Sequence, residues 1–219
     1  MTGKIKLNAA SGGGSVSFQA PSSTGDDRII TLPTTADGTV LTTTNPKAGN
    51  VIQVVNTGVT STSSLSLSSA TTWYTVSSLD TVITTSGTNS KILINAQFFG
   101  EADTADYVVN FKIVRVIGGT ESDITNGVGA TASNRWCINQ IMHVGYYDNN
   151  QSSTPIQNVF AGLLDSPSQS SGTAITYRLK VAINEVSSKT LYVNRSVSDT
   201  DASANERGIS YMTLMEVAV

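Results

Sequence analysis

Ile209-Ser-Tyr-Met-Thr-Leu-Met-Glu-Val-Ala-Val219 is the segment on which the reading of this chain turns. Its residues alternate as a strand does. Ile209, Tyr211, Met215 and Val217 share one side, and Met212 and Leu214 share the other. Both sides are apolar, and in a lone sandwich one of them would be left in water as an aggregation hazard. The segment therefore predicts a strand with one face in a core and the other against a further sheet or subunit. Tyr211, Met212, Leu214 and Met215 are the candidate core and subunit-interface residues.

Working outward, helical periodicity is almost absent. Apolar stretches alternate or are β-branched, and Gly or Ser/Thr clusters interrupt them. Residues 1–49 read as an extended N-terminal arm of short strands: Lys4–Leu7, Val16–Ala20 up to Pro21, Arg28–Pro33 and Thr39–Thr42. Ser11-Gly-Gly-Gly-Ser15 is a break between the first two. So few large apolar side chains cannot build an independent core, so the arm must lie on a partner protein or on its own symmetry mates. Residues 50–219 carry about nine or ten strands: Val51–Val55, Trp73–Val76, Leu79–Thr84, Lys91–Phe99, Tyr107–Ile117, Arg135–Val144, Gln157–Leu164, Ile175–Ile183, Lys189–Asn194 and the terminal segment. No helical pattern lies between them to make parallel crossovers, which excludes α/β folds. The expected fold is all-β, an antiparallel jelly-roll sandwich preceded by the arm.

Composition narrows the function. Charged residues are 13% of the 219, about half the usual quarter, with Ser, Thr, Gly and Asn supplying the polarity. The net charge of −3 offers no basic footprint for nucleic acid. No stretch approaches the ~20 apolar residues of a membrane-spanning helix, and the first eight residues lack the apolar run of a signal peptide. The single cysteine, Cys137 between Trp136 and Ile138, reads as a small buried hydrophobe.

Several segments carry a resemblance. They are Trp73 to Ser90-Lys-Ile-Leu-Ile94, Val109-Asn-Phe-Lys-Ile-Val-Arg115, Leu163-Leu-Asp-Ser-Pro167, Ile175–Val181, Thr190-Leu-Tyr-Val-Asn-Arg-Ser196 and Arg207–Glu216. Together they resemble phage fibre and virion-surface proteins with a C-terminal trimeric jelly roll of the tumour-necrosis-factor-like class, over residues 70–219. The resemblance implies a homotrimer, exposure on the virion surface, and no catalysis. The arm, residues 1–49, is then expected to dock on another virion protein of the capsid or tail. A short fibre or a capsid-decoration protein fits the length. The alternative is a receptor-binding tail fibre recognising host surface glycan, and a third reading is a polysaccharide hydrolase.

Candidate chemistry is sparse. A glycan or receptor site is best sought at Tyr146, Tyr147, Asp148 and Asn149, where aromatic faces stack on sugar CH groups and amides bond hydroxyls. The plainer alternative is that both tyrosines end a strand and pack on a neighbour. His143, the one histidine, sits among apolar residues and reads as structural. Glu101, Asp103 and Asp106, and again Asp199 and Asp201, are the acidic groups available for sugar cleavage or Ca²⁺. They read as solvated loop carboxylates, without the spacing of a Ca²⁺ loop or the repeats of a β-helix depolymerase. No catalytic residue, cofactor or metal is expected. Asp165 and Asn194 are read as satisfying local backbone donors, with Arg195 as a pairing partner for Asp165 or Glu216.

Overall fold

The computed structural model describes residues 4–19, 22–23, 25, 46–103, 108–131, 133–143, 155–185, 188–203 and 205–219. The chain divides into two units, Met1–Val40 and Leu41–Val219. In the first, β1 (Lys4–Asn8) and β2 (Ser15–Gln19) pair antiparallel as a two-stranded ribbon, with the glycine run as the turn between them. The strands expected at Arg28–Pro33 and Thr39–Thr42 lie outside the described residues.

In the second unit the strands are β3 (Val51–Val59), β4 (Ser63–Leu67), β5 (Tyr74–Thr75), β6 (Thr81–Thr84), β7 (Lys91–Ala102) and β8 (Val109–Ile117). They continue with β9 (Thr120–Asp123), β10 (Gln140–Ile141), β11 (Ile156–Asp165), β12 (Ala174–Ile183), β13 (Lys189–Val193) and β14 (Ser210–Val217). Several of these are halves of one interrupted strand. Strands β13 and β14 lie end to end along the same edge of β7, which they meet at Gly100–Ala102 and at Lys91–Gln97. β3 and β4 lie end to end along them. β5 and β6 share one edge of β12, and β9 and β10 one edge of β8. Joining the halves leaves two four-stranded sheets. Sheet I runs β3/β4, β13/β14, β7, β11; sheet II runs β5/β6, β12, β8, β9/β10. With every pairing antiparallel and the chain crossing repeatedly between the sheets, this is the strand order of a jelly roll.

Between the sheets lies one apolar core. Ile92, Ile94, Ala96 and Phe98 of β7 and Met212 and Leu214 of β14 face Phe111 and Ile113 of β8 and Ile175, Leu179 and Val181 of β12. Phe98 and Phe111 pack at 5.2 Å between ring centroids, and Phe160 meets Phe111 edge-on at 5.9 Å. Both spacings are typical of favourable aromatic pairs.

Three buried polar groups fix strands and layers in place. Asp165, 2% exposed at the end of β11, accepts from Arg115 Nη1 of β8 at 2.7 Å and from the Tyr177 hydroxyl of β12 at 2.8 Å. It therefore links the sheets, which overturns its expected role as a local turn residue and its expected pairing with Arg195. Asn194, at φ +59°, sits where β13 gives way to β14. Its Nδ2 donates to Val59 O at 2.7 Å and Ser61 O at 3.0 Å, and its Oδ1 accepts from Ser210 Oγ at 2.7 Å. The third is Glu216, fully buried on β14, which accepts from the backbone N–H of Ser86 and Gly87 and from Gln53 Nε2. Arg195 pairs instead with Asp199, four residues on, at 3.2 Å.

The Asn194 junction demands glycine nearby. A Cβ on Gly100 would stand 2.0 Å from Tyr192 O, so the strands could not close over one. The strands expected at Trp73–Val76 and Arg135–Val144 shrink to two residues each, and Ser77–Leu79 forms a 3-10 turn. Cys137 is only half-buried, with its sulfur 3.9 Å from Thr131 Oγ1, which corrects its reading as a core residue.

Asp165→Ala is expected to destabilise the fold by about 3–5 kcal/mol in urea unfolding, because it breaks the largely buried ion pair with Arg115 and leaves the buried Tyr177 hydroxyl without its partner. Burial, then the neighbouring Asp165 charge, pushes the Tyr177 phenol far above the usual tyrosine range. A raised value in the folded state stabilises at neutral pH and is lost above the unfolded value of about 10. Alkaline titration at 295 nm should therefore show one tyrosine ionising only together with the loss of near-UV circular dichroism.

Candidate functional site

β14 alternates buried and half-buried residues without a break. Met212 and Leu214 fill the sandwich, while Tyr211, Thr213, Met215 and Val217 point away from it. All four residues singled out in the terminal segment are thus placed, two in the core and two on the outer face of sheet I.

Register extends that outer face across the whole sheet. Met215 lies opposite Val54 of β3 and Leu93 of β7, and Leu93 lies opposite Leu164 of β11. Val54, Met215, Leu93 and Leu164 make an apolar row four strands wide, with Val54 56% and Leu164 41% exposed. Two positions along lies a polar row, Asn56–Thr213–Asn95. Thr213 Oγ1 donates to Asn56 Oδ1 at 2.7 Å, and Gly162 N–H donates to Asn95 Oδ1 at 2.9 Å. Beyond it come Tyr211, Gln97 and Val159, with Gln97 Nε2 donating to Ile209 O at 3.0 Å. Thr213 Oγ1 and Asn56 Oδ1, already bonded to each other, add little desolvation cost if the face is covered.

The far end of this face is already closed. Loop 195–209 folds over it: Val197 N–H donates to the buried Glu101 carboxylate at 2.7 Å, and Phe99 packs so tightly on Gly208 that a Cβ there would be 2.5 Å from the ring. Arg195 and Arg207 clamp the loop by converging on Asp199. The hydrogen bond from Arg207 is the chief reason the Asp199 carboxyl is held below the usual range. Glu101, Asp103 and Asp199 are thus structural acceptors; Asp103 takes the Thr190 N–H at 2.7 Å. The expectation of solvated loop carboxylates is corrected for the buried Glu101 and the doubly paired Asp199, whereas Asp103 and Asp201 are exposed, and Asp106 lies outside the described residues.

Sheet II treats its outer face differently. Arg178 pairs with Asp80 at 2.8 Å, Lys180 with Glu121 at 3.1 Å and Lys112 with Asp123 at 2.7 Å. Lys112 also covers the Trp73 ring, which packs on Trp136. Long side chains lie flat over this face and leave Val114 with no exposure. Charge pairs cover the middle of the sheet II face, with Val82 and Ile141 exposed toward its edges, whereas the sheet I face carries an apolar row beside a polar one.

Nothing described gathers the groups for catalysis. A cavity of about 460 Å³ beside the β11 bulge is lined by Asn126, Gly129, Asn139, Gln140, Phe160 and Gly162 among others, with no titratable side chain. His143 is exposed, and its backbone N–H donates to Asn158 Oδ1 at 2.8 Å. Among the described residues no three His, Cys, Asp or Glu side chains converge as a metal site. Tyr146, Tyr147, Asp148 and Asn149 lie outside the described residues.

No family model matches this chain, and no curated protein matches it. Among solved structures it is similar to a chain of the infectious bursal disease virus Gt strain, at 11% identity and a TM-score of 0.39 over 94% of this chain and 48% of that one. It is similar also to a chain of the T13 particle of the same virus, at 12% identity and a TM-score of 0.39 over 94% of this chain and 42% of the other. The VP2 subviral particle of that virus follows at 10% identity and a TM-score of 0.36, over 93% and 51%. The chain spans about half the length of these matches.

Glu216 gives the terminal strand a pH signature. Burial alone would raise its carboxyl, but hydrogen bonds from Gly87, Gln53, Ser86 and Ser90 outweigh it and hold the value below the usual range. A depressed value in the folded state stabilises above the unfolded pKa of about 4.3, and that stability is lost as pH falls through the folded value. Melting temperature should therefore fall steeply below about pH 4. Glu216→Gln should lower it at neutral pH and flatten that acid limb.

Proposed function

We propose that this chain is a structural protein of a phage virion surface, a short homotrimeric fibre or a capsid-decoration protein. Residues 1–49 attach it to another virion protein, and the jelly roll is presented outward. The observation that carries the trimer is the contrast between the two outer faces. Paired charges cover the middle of the sheet II face, where only Val82 and Ile141 toward the edges are exposed large apolar residues, whereas Val54, Met215, Leu93 and Leu164 form a row right across sheet I. An apolar row of that width, beside the bonded Thr213–Asn56 pair, suits burial against a neighbouring copy, which in a three-fold ring meets it with a different part of its own surface. Support for the virion surface comes from the resemblance in residues 70–219, from the jelly roll itself, and from surface polarity supplied by hydroxyls and amides.

The mechanism is surface complementarity. Each copy buries part of its sheet I face against its neighbours, and the loops at the ends of the sandwich stay free. Light scattering on the purified chain is expected to give three times the chain mass; a monomer mass would overturn the trimer. Met215→Asp should convert trimers to folded monomers, with the far-UV spectrum unchanged, because it places a charge in the interface without touching the core. Leu214→Asp, by contrast, should prevent folding, since an unpaired buried charge costs more than about 4 kcal/mol. Antibody labelling of purified particles tests the location, and particles without label would contradict it.

A further inference from the structure

The ribbon of β1 and β2 is amphipathic by register. Ile5 lies opposite Phe18 and Leu7 opposite Val16, so these four side chains share one face, while Lys6, Asn8, Ser15, Ser17 and Gln19 take the other. Every member of the apolar face is exposed: Ile5 67%, Leu7 55%, Val16 66% and Phe18 48%. A two-stranded ribbon is marginal in water by itself, so this face needs a cover.

The size of the face says what kind of cover suffices. Four side chains exposed to this degree present on the order of 400 Å² of apolar surface, about half the ~800 Å² that each partner contributes to a stable independent complex. A freely diffusing partner would be held poorly. A partner tethered at high effective concentration would be held well, because the second contact is then intramolecular. The matching ribbon of another copy is such a partner once the jelly rolls are associated. The 26 residues between Gln19 and Pro46 give it ample reach.

We propose that the ribbons of the three copies pack their Ile5, Leu7, Val16 and Phe18 faces together around the three-fold axis. This rests on the trimer proposed above. The polar faces point outward, and the bundle rather than a single ribbon meets the virion protein.

Cysteine cross-linking of the full chain tests it, in a Cys137→Ser background that removes the native thiol. Symmetry brings Val16 of each copy toward the axis, so Val16→Cys treated with copper–phenanthroline should yield disulfide-linked dimers. Ser17→Cys, on the polar face, should give about tenfold less. Both variants are also weighed by light scattering before oxidation. Trimers with the Val16 cross-link support the bundle. Trimers with equal or no cross-linking at the two positions overturn the bundle and leave the trimer standing. Monomers overturn the trimer and the bundle with it.

Discussion

Sheet I cannot close until β14 is seated between β3 and β7. That single placement governs the rest of the molecule. Its inward residues complete a core begun more than a hundred residues earlier, since Leu214 pairs with Ile94 on one side and Val55 on the other. The pairing is almost wholly non-local, so the loop-closure entropy is lost before the contacts that offset it form. Slow, cooperative folding of residues 46–219 follows, with no stable intermediate expected that lacks the terminal strand.

Buried polar groups fix which pairing forms. A one-residue slip of a strand would send its apolar set to the wrong face, and apolar contacts alone resist such slips imperfectly. Here a slip of β11 would pull Asp165 from Arg115 and Tyr177, and a slip of β14 would pull Glu216 from the turn at Ser86 and Gly87. Asn194 holds the gap through which loop 195–209 leaves the sheet. With 13% charged residues, the chain spends several of its few charges on register and on covering the middle of sheet II, and none on the exposed row of sheet I.

The strand alternation of the terminal segment, of Lys91–Phe99 and of Ile175–Ile183 was legible because those strands are long and have one clearly buried face. So was the all-β jelly-roll class. Ser63–Leu67 escaped because its Ser-rich alternation resembles a loop until β13 is there to pair with it, and Thr120–Asp123 because a hydrophilic edge strand has no apolar signal. Trp136–Ile138 misled in the other direction: the residues are apolar, yet they anchor a loop through Trp136 on Trp73. Asp165 could not be assigned from sequence, since its partners lie 50 and 12 residues away and a Pro two positions later imitates a turn. The contrast between the two outer faces was invisible for the same reason: it needs the register of four strands at once.

The jelly roll carries an apolar row across one outer face, and the ribbon of β1 and β2 carries a second apolar face. The terminal strand contributes to both sides of its sheet, Leu214 to the core and Met215 to the outer face. Amide hydrogen exchange at residues 210–217 tests its seating most directly. A strand hydrogen-bonded on both edges should exchange as slowly as Lys91–Ala102, through global unfolding only. Exchange at the rate of an edge strand or a frayed terminus would contradict the account.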